Sequence, residues 1–326
     1  MKLHEDRNAF KVLLSNIHER TGYREDVLEK DYYVMLILEE LSKKQQEGLP
    51  AYFKGGTALY KALKTTNRFS EDIDISVDTR ECSRTQSDKR LEQSAKKYVS
   101  LRRNVDESIS HRSEVIAVYE YEPVSVFDAD DALQRFGKVK VESTSFTISE
   151  PVSDLEVSYM IYDLATDQER VILTNVCGIK PFIVKTITIE RIFVDKLFAT
   201  EAYVLKSDIP HRAFEAAKHI YDLAFMVNQE SIIKLLSTDE LLKRLLSIRI
   251  AEERNRLDGI PDVLPKDFTF FESVAHNGAV KDAYRIMQNQ YVLRDIDRIE
   301  FDVALSKLNQ IRTLLNANTA WMECSL

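Results

Sequence analysis

Two carboxylates and two glycines carry the chemistry this chain announces first. Asp72 and Asp74 stand one residue apart in "SEDIDISV", and Gly55-Gly56 precede them in "FKGGTALYKALKTTNRF". The alternation Asp-Ile-Asp-Ile-Ser-Val from Asp72 to Val77 predicts a strand with one polar and one apolar face. Side chains two apart on a strand point the same way, so both aspartates share a face with Cα atoms ~6.5 Å apart. Two hard carboxylates on one face suit Mg²⁺, which takes oxygen ligands and shares them with substrate phosphates. The Gly-Gly pair supplies the complement, a backbone that a bulky anion can approach.

These residues need a strand, a glycine turn, a helix and a second strand to position them. The expected order is a strand over 51–54, a helix from Thr57 to about Leu63, and the strand from Asp72. Two helices over 5–45 come before it. A long helix is expected over 84–112, with Lys89, Lys96 and Arg103 repeating every seven residues beside Arg90 and Lys97. That stripe could be a solvated face, follow an RNA backbone, or dock an acidic partner. Strands follow over 115–122, 138–146, 155–162 and 182–186. Beyond Thr188 the pattern is helical, with breaks at 207–210, 259–265 and 277–278. The fold class is therefore α+β, a mixed sheet core with N-terminal helices and a helical C-terminal domain, divided as 1–187 and 188–326.

Composition bounds the function. The net charge is −8, so no overall basic footprint is present and any nucleic-acid contact must come from a local patch. Cys82, Cys177 and Cys324 are scattered and odd in number, which fits neither a disulfide framework nor a zinc site and points to a reducing cytoplasm. No run of apolar residues approaches a membrane span, and the N-terminus lacks a signal-type apolar run. The Walker A pattern is missing.

The stretch "GGTALYKALKTTNRFSEDIDI" closely resembles the signature of the AbiEii/AbiGii-type nucleotidyltransferase toxins, a branch of the polymerase-β-like nucleotidyltransferase superfamily. The upstream "LEKDYYVMLILEEL" resembles the family's N-terminal helix, and "TIERIFVDKLFA" and "AAKHIYDLAFM" match its later motifs. The resemblance implies that Lys196 meets the nucleotide's phosphates and that Asp222 supports the active centre. It also matches Arg68 to a family arginine, which could clamp a phosphate, with Ser70 beside it as a phosphate contact or a turn hydroxyl. The resemblance further implies a third carboxylate on a neighbouring strand. Lys140 and Glu142 share one face of "GKVKVESTSF", which makes Glu142 the first candidate, as general base or metal ligand. Glu156 in "DLEVSY", or no third carboxylate, is the alternative. Read from the residues alone, Lys196 could instead be an exposed cation and Asp222 an i,i+4 partner of Lys218. His219 departs from the acidic or polar residue more usual there, so the resemblance implies no direct role for it. The implied activity is Mg²⁺-dependent transfer of a nucleotidyl group from an NTP to an RNA acceptor, most plausibly the 3′ end of tRNA. Gly55, Gly56 and Thr57 would cradle the phosphates, and a separate antitoxin would restrain the toxin. A small molecule or a protein hydroxyl is the alternative acceptor.

Overall fold

The computed structural model describes residues 2–126, 135–254, 256 and 259–325. By internal packing these fall into two compact units. The first comprises 1–63, 69–145 and 152–186, and the second 64–68, 146–151 and 187–326. No helix among the described residues is long and apolar enough to cross a membrane.

The first unit opens with helices α1 (Arg7–Thr21) and α2 (Glu25–Gln46). Asp6 caps α1 by accepting the Ala9 N–H, and Gly22 ends it in the left-handed conformation at φ 74°. Residues buried on every side mark α2 as a core helix, not an amphipathic surface one. Its Tyr32 and Tyr33 pack with Phe10 and with each other, and Tyr33 stacks on Tyr121 at 3.9 Å. The Gly48–Pro50 stop then leads into β1 (Ala51–Lys54), α3 (Gly55–Lys61), β2 (Ile73–Val77) and α4 (Arg84–Ala95). After these come β3 (Arg102–His111), β4 (Glu114–Glu120), β5 (Lys138–Thr144) and β6 (Val152–Val157). Two short helices, α5 (Met160–Asp163) and α6 (Asp167–Asn175), precede β7 (Phe182–Ile187). The seven strands form one mixed sheet in the order β3-β4-β5-β2-β1-β7-β6. β2 runs antiparallel to β1 and parallel to β5. The apolar alternates Ile73, Ile75, Val77, Val139 and Val141 are buried, and each such side chain contributes about 1.5–3 kcal/mol by leaving water.

Three expectations are corrected. The helix over 84–112 does not exist as one element: α4 ends at Ala95 and the chain becomes β3 at Arg102. The reason lies in distant partners. Tyr98 is buried, its hydroxyl donates to the Ser94 carbonyl at 2.5 Å, and its N–H donates to Tyr119 Oη at 3.4 Å, which ends the helix. Residues 102–111 then pair antiparallel with β4, from Arg102↔Glu120 to His111↔Glu114. Lys89, Lys96 and Arg103 consequently lie on a helix, at its C-cap and on a strand, not in one stripe. The strand expected over 155–162 is β6, Val152–Val157, and Tyr159 already caps α5. Finally, the Gly-Gly pair is the first turn of α3 rather than a separate turn before Thr57.

The second unit is helical. Its helices are α7 (Ile189–Val204), α8 (Pro210–Met226), α9 (Glu230–Ser237), α10 (Asp239–Glu253), α11 (Phe270–Ser273), α12 (Gly278–Tyr291), α13 (Phe301–Asn316) and α14 (Thr319–Met322). Pro210 starts α8, where its missing N–H costs nothing. Glu201 on α7 accepts the N–H groups of Thr269 and Phe270, which supplies the start of α11 with the acceptor its own sequence lacks. A buried ion network joins α7 to α10, with Arg191 paired to Glu252 and Arg249 to Glu253.

Candidate active site

The residues expected to do chemistry gather in two clusters, one in each unit. In the first unit the sheet register aligns Lys54, Asp74 and Glu142 across β1, β2 and β5, since Asp74 is the Cα partner of both others. Cross-strand partners project from the same face, so Asp74 and Glu142 are neighbours there. Asp72 sits one residue before β2, and Lys140 lies two residues from Glu142 on the same face of β5. The Lys140 ammonium stands 3.0 Å from Glu142 Oε2 and 3.7 Å from Asp72 Oδ2. Arg135 adds its guanidinium to the same Asp72 oxygen at 2.7 Å.

Gly55 closes this cluster on the other side. Its φ is +78°, and a Cβ there would strike the Asp74 carboxylate. Only glycine takes that conformation freely and leaves that space. Gly56 follows within the same helical turn. The Thr57 hydroxyl is buried and is shared between Ser70 Oγ at 2.9 Å and the Asp72 carbonyl. Thr57 and Ser70 therefore tie the helix to the chain entering β2.

The electrostatics follow from three acids at close quarters. Burial, then the charges of Glu142 and Asp72, push the Asp74 carboxyl up to about 6, against the pull of Lys140 and Lys54. Lys140 responds in the opposite sense. Burial disfavours its charge, but Asp72, Glu142 and Asp74 hold its proton well above the ordinary lysine value. Asp72 Oδ1 is buried with no hydrogen-bond partner among the described residues. An orphaned carboxylate oxygen beside a second, proton-hungry carboxylate is a donor set suited to a hard cation. Among the described residues no three acidic, histidine or cysteine side chains already converge on one metal position.

Three consecutive charges on α2 hold this arrangement from behind. Glu29, Lys30 and Asp31 are all buried. Glu29 accepts the N–H groups of Val124 and Ser125 at 2.8 and 2.9 Å. Lys30 donates to the carbonyls of Arg135 and Lys138 and pairs with Glu71 at 3.4 Å, immediately before Asp72. Burial lowers its pKa, and Glu71 and then Asp72 oppose that shift. Asp31 pairs with Lys61 at the end of α3 at 2.7 Å and accepts the Met160 N–H. One helix turn thus anchors α3, the approach to Asp72 and the start of β5. The resemblance covers this stretch but implies no role for its three charges. The available signal was three successive charges inside an otherwise apolar helix. Alternation alone puts Lys140 on the face of Glu142 but gives it no role, and nothing local in the sequence marks Arg135.

The second cluster is built on Asp222 of α8. Arg68 grips both its oxygens, Nε at 2.8 Å from Oδ1 and Nη2 at 2.6 Å from Oδ2, and Lys196 Nζ lies 2.6 Å from Oδ2. All three are at most 5% exposed at the side chain. Burial would raise the Asp222 carboxyl, but Arg68 and Lys196 hold it below its usual value. His219 Nδ1 lies 3.1 Å from Lys196 Nζ, and its ring stacks on Tyr203 at 5.4 Å. Burial and the cations Lys196, Arg68 and Lys218 drive the imidazole pKa well below its usual value, so it is neutral and accepts from the ammonium. Lys196 is thus buried rather than exposed, and Lys218 pairs with Glu215 at 2.6 Å instead of Asp222. The alternative third acid, Glu156, lies on β6, an edge of the sheet, while β5 borders β2.

Comparison with known proteins supplies the identity. The model of the nucleotidyl transferase AbiEii toxin family of type IV toxin–antitoxin systems matches residues 36–307. No curated protein sequence is similar at a significant level. Among solved structures, a putative nucleotidyltransferase from H. pylori is 16% identical with a TM-score of 0.42, covering 90% of this chain and 98% of its own. MenT4, a nucleotidyltransferase toxin from Mycobacterium tuberculosis H37Rv, is 14% identical with a TM-score of 0.41, covering 93% and 99%. The family match spans both the signature over 53–78 and the later motifs around Lys196 and Asp222, and the chain belongs to the AbiEii family of nucleotidyltransferase toxins of type IV toxin–antitoxin systems.

Proposed function

We propose that this nucleotidyltransferase toxin moves a nucleotidyl group from an NTP to a hydroxyl of an RNA acceptor, with the 3′ end of tRNA as the acceptor class. The observation that carries the reading is the register pairing of Asp74 with Glu142 beside the orphaned Asp72 oxygen, which gathers three acids on one sheet face. Asp72, Asp74 and Glu142 would hold Mg²⁺, which when bound supplies charge neutralisation at the transferring phosphorus. The acceptor hydroxyl oxygen attacks the α-phosphorus, the bond from that phosphorus to the bridging oxygen breaks, and pyrophosphate leaves. The hydroxyl proton passes to a carboxylate of the cluster. Gly55 and Gly56 let the backbone approach the phosphates, as the bare α-carbon beside Asp74 allows. Lys196 would offset phosphate charge, with Asp222 and Arg68 fixing its position. Ser70, tied to Thr57, would shape the loop that enters the D-x-D. The family's toxin–antitoxin setting implies an antitoxin partner, and the site would work in the cytoplasm, where NTP and RNA meet.

Growth under induced expression tests the reading. The wild-type chain without its antitoxin should arrest growth, and Asp72→Ala/Asp74→Ala, produced at the same level, should not. Equal arrest by both would remove the catalytic account.

A further inference from the structure

Lys140 occupies the position where charge on the acidic face is balanced. Its ammonium bridges Glu142 Oε2 at 3.0 Å and Asp72 Oδ2 at 3.7 Å, so it touches two of the three acids proposed to hold a metal. Arg135 pairs with Asp72 and is more exposed, at 41% of its side chain against 21% for Lys140. A Mg²⁺ ion needs its carboxylate oxygens at about 2.0–2.1 Å and in near-octahedral array. An ammonium on Asp72 Oδ2 and Glu142 Oε2 opposes such an ion by charge even where the ion takes the orphaned Asp72 Oδ1, and by space as well where it takes either of the paired oxygens. The Lys140 backbone is fixed in β5 between β4 and β2, but its four-carbon stem can swing.

We infer that Lys140 is a built-in counter-ion that a divalent metal must displace from Asp72 and Glu142. The inference rests on the metal reading given under Proposed function. Before metal enters, Lys140 relieves the repulsion among the acids, which otherwise would have to be carried by the fold. Metal entry breaks both ion pairs, and this cost weakens metal binding. A nucleotide's phosphates then give the displaced ammonium a new partner. Metal and nucleotide are therefore coupled: each binds more tightly when the other is present.

Isothermal titration with Mn²⁺ in the absence of nucleotide reads this directly. Lys140→Met should bind Mn²⁺ about tenfold more tightly than wild type, within the usual range of coupling between sites. Lys140→Arg, which keeps the charge, should stay near the wild-type value. Lys140→Gln serves as the neutral variant if thermal melting shows that Lys140→Met does not fold. Unchanged or weaker Mn²⁺ binding by the folded neutral variant overturns the counter-ion role. Asp72→Asn separates the two layers of the account. If Mn²⁺ binding needs Asp72 but ignores Lys140, only the counter-ion falls; if binding ignores Asp72, the metal site falls and the counter-ion with it.

Discussion

Gly55 lies so close to Asp74 that a single methyl group at position 55 would collide with the carboxylate. The two residues sit opposite the ends of neighbouring strands, because Lys54, which precedes Gly55, is the Cα partner of Asp74. The spacing of the signature therefore has a steric meaning. The glycine is there to let the D-x-D in.

Gly55→Ala should disable the site. It adds a clash and forces a φ of +78° on a residue with a side chain. We expect destabilisation of more than about 1 kcal/mol and loss of most nucleotidyl transfer. Thermal melting and initial rates on one preparation check both. An alanine variant with wild-type rate and melting temperature would show that Asp74 can move aside freely.

Asp74→Asn should separate stability from activity. With its pKa near 6 against about 3.8 in an unfolded chain, Asp74 binds a proton more readily when folded. Folding stability from this group is thus present at low pH and is lost as pH rises through 6. At pH 8 the asparagine variant, lacking that repulsion, should be more stable by about 1–2 kcal/mol, less than the full shift implies because the group is partly solvated. The difference should vanish near pH 4, and transfer activity should be lost throughout. Urea denaturation at both pH values is the check.

Much of this cluster is legible in the sequence, and the reason is periodicity. Alternation in "DIDISV" and "KVKVES" orients Asp72, Asp74, Lys140 and Glu142 without knowledge of their partners. The segment 102–111 is not legible in the same way. Val105 and Ile109 are four residues apart, which suits a helix, and only the hydrogen bonds to β4 decide for a strand. Arg68 and Asp222 are 154 residues apart, and their bidentate contact leaves no local trace. Lys30 illustrates the limit from another side: its position inside an apolar helix hints at a buried partner, but not at which carbonyls it meets.

Asp222→Ala should be among the most damaging single changes in the second unit. It leaves Arg68 and Lys196 buried without their counter-charge. Breaking a buried pair from one side costs about 3–5 kcal/mol. Chemical denaturation measures it, and a loss below about 1 kcal/mol would mean that water or another acid replaces the carboxylate.

His219 should make the protein acid-sensitive. Its folded pKa is depressed by burial and by Lys196, while an unfolded histidine titrates near 6.5. Below that pH the unfolded chain takes up a proton that the native imidazole refuses. The stability is complete above 6.5 and falls with pH by about 1.4 kcal/mol per unit. His219→Gln keeps an acceptor for Lys196 and removes the titration, so its melting temperature should fall less steeply between pH 6.5 and 5. Parallel curves would show that His219 protonates in the native state.

The central claim is that the chain transfers a nucleotidyl group, and the label position in the NTP tests it most directly. The purified protein is incubated with tRNA, Mg²⁺ and each of the four NTPs, labelled at either the α- or the γ-phosphate. The account predicts α-label in RNA with one NTP or a subset, γ-label released in pyrophosphate, and neither with Asp72→Ala/Asp74→Ala. Label passing to RNA from the γ-phosphate, or α-label entering only protein, would contradict it.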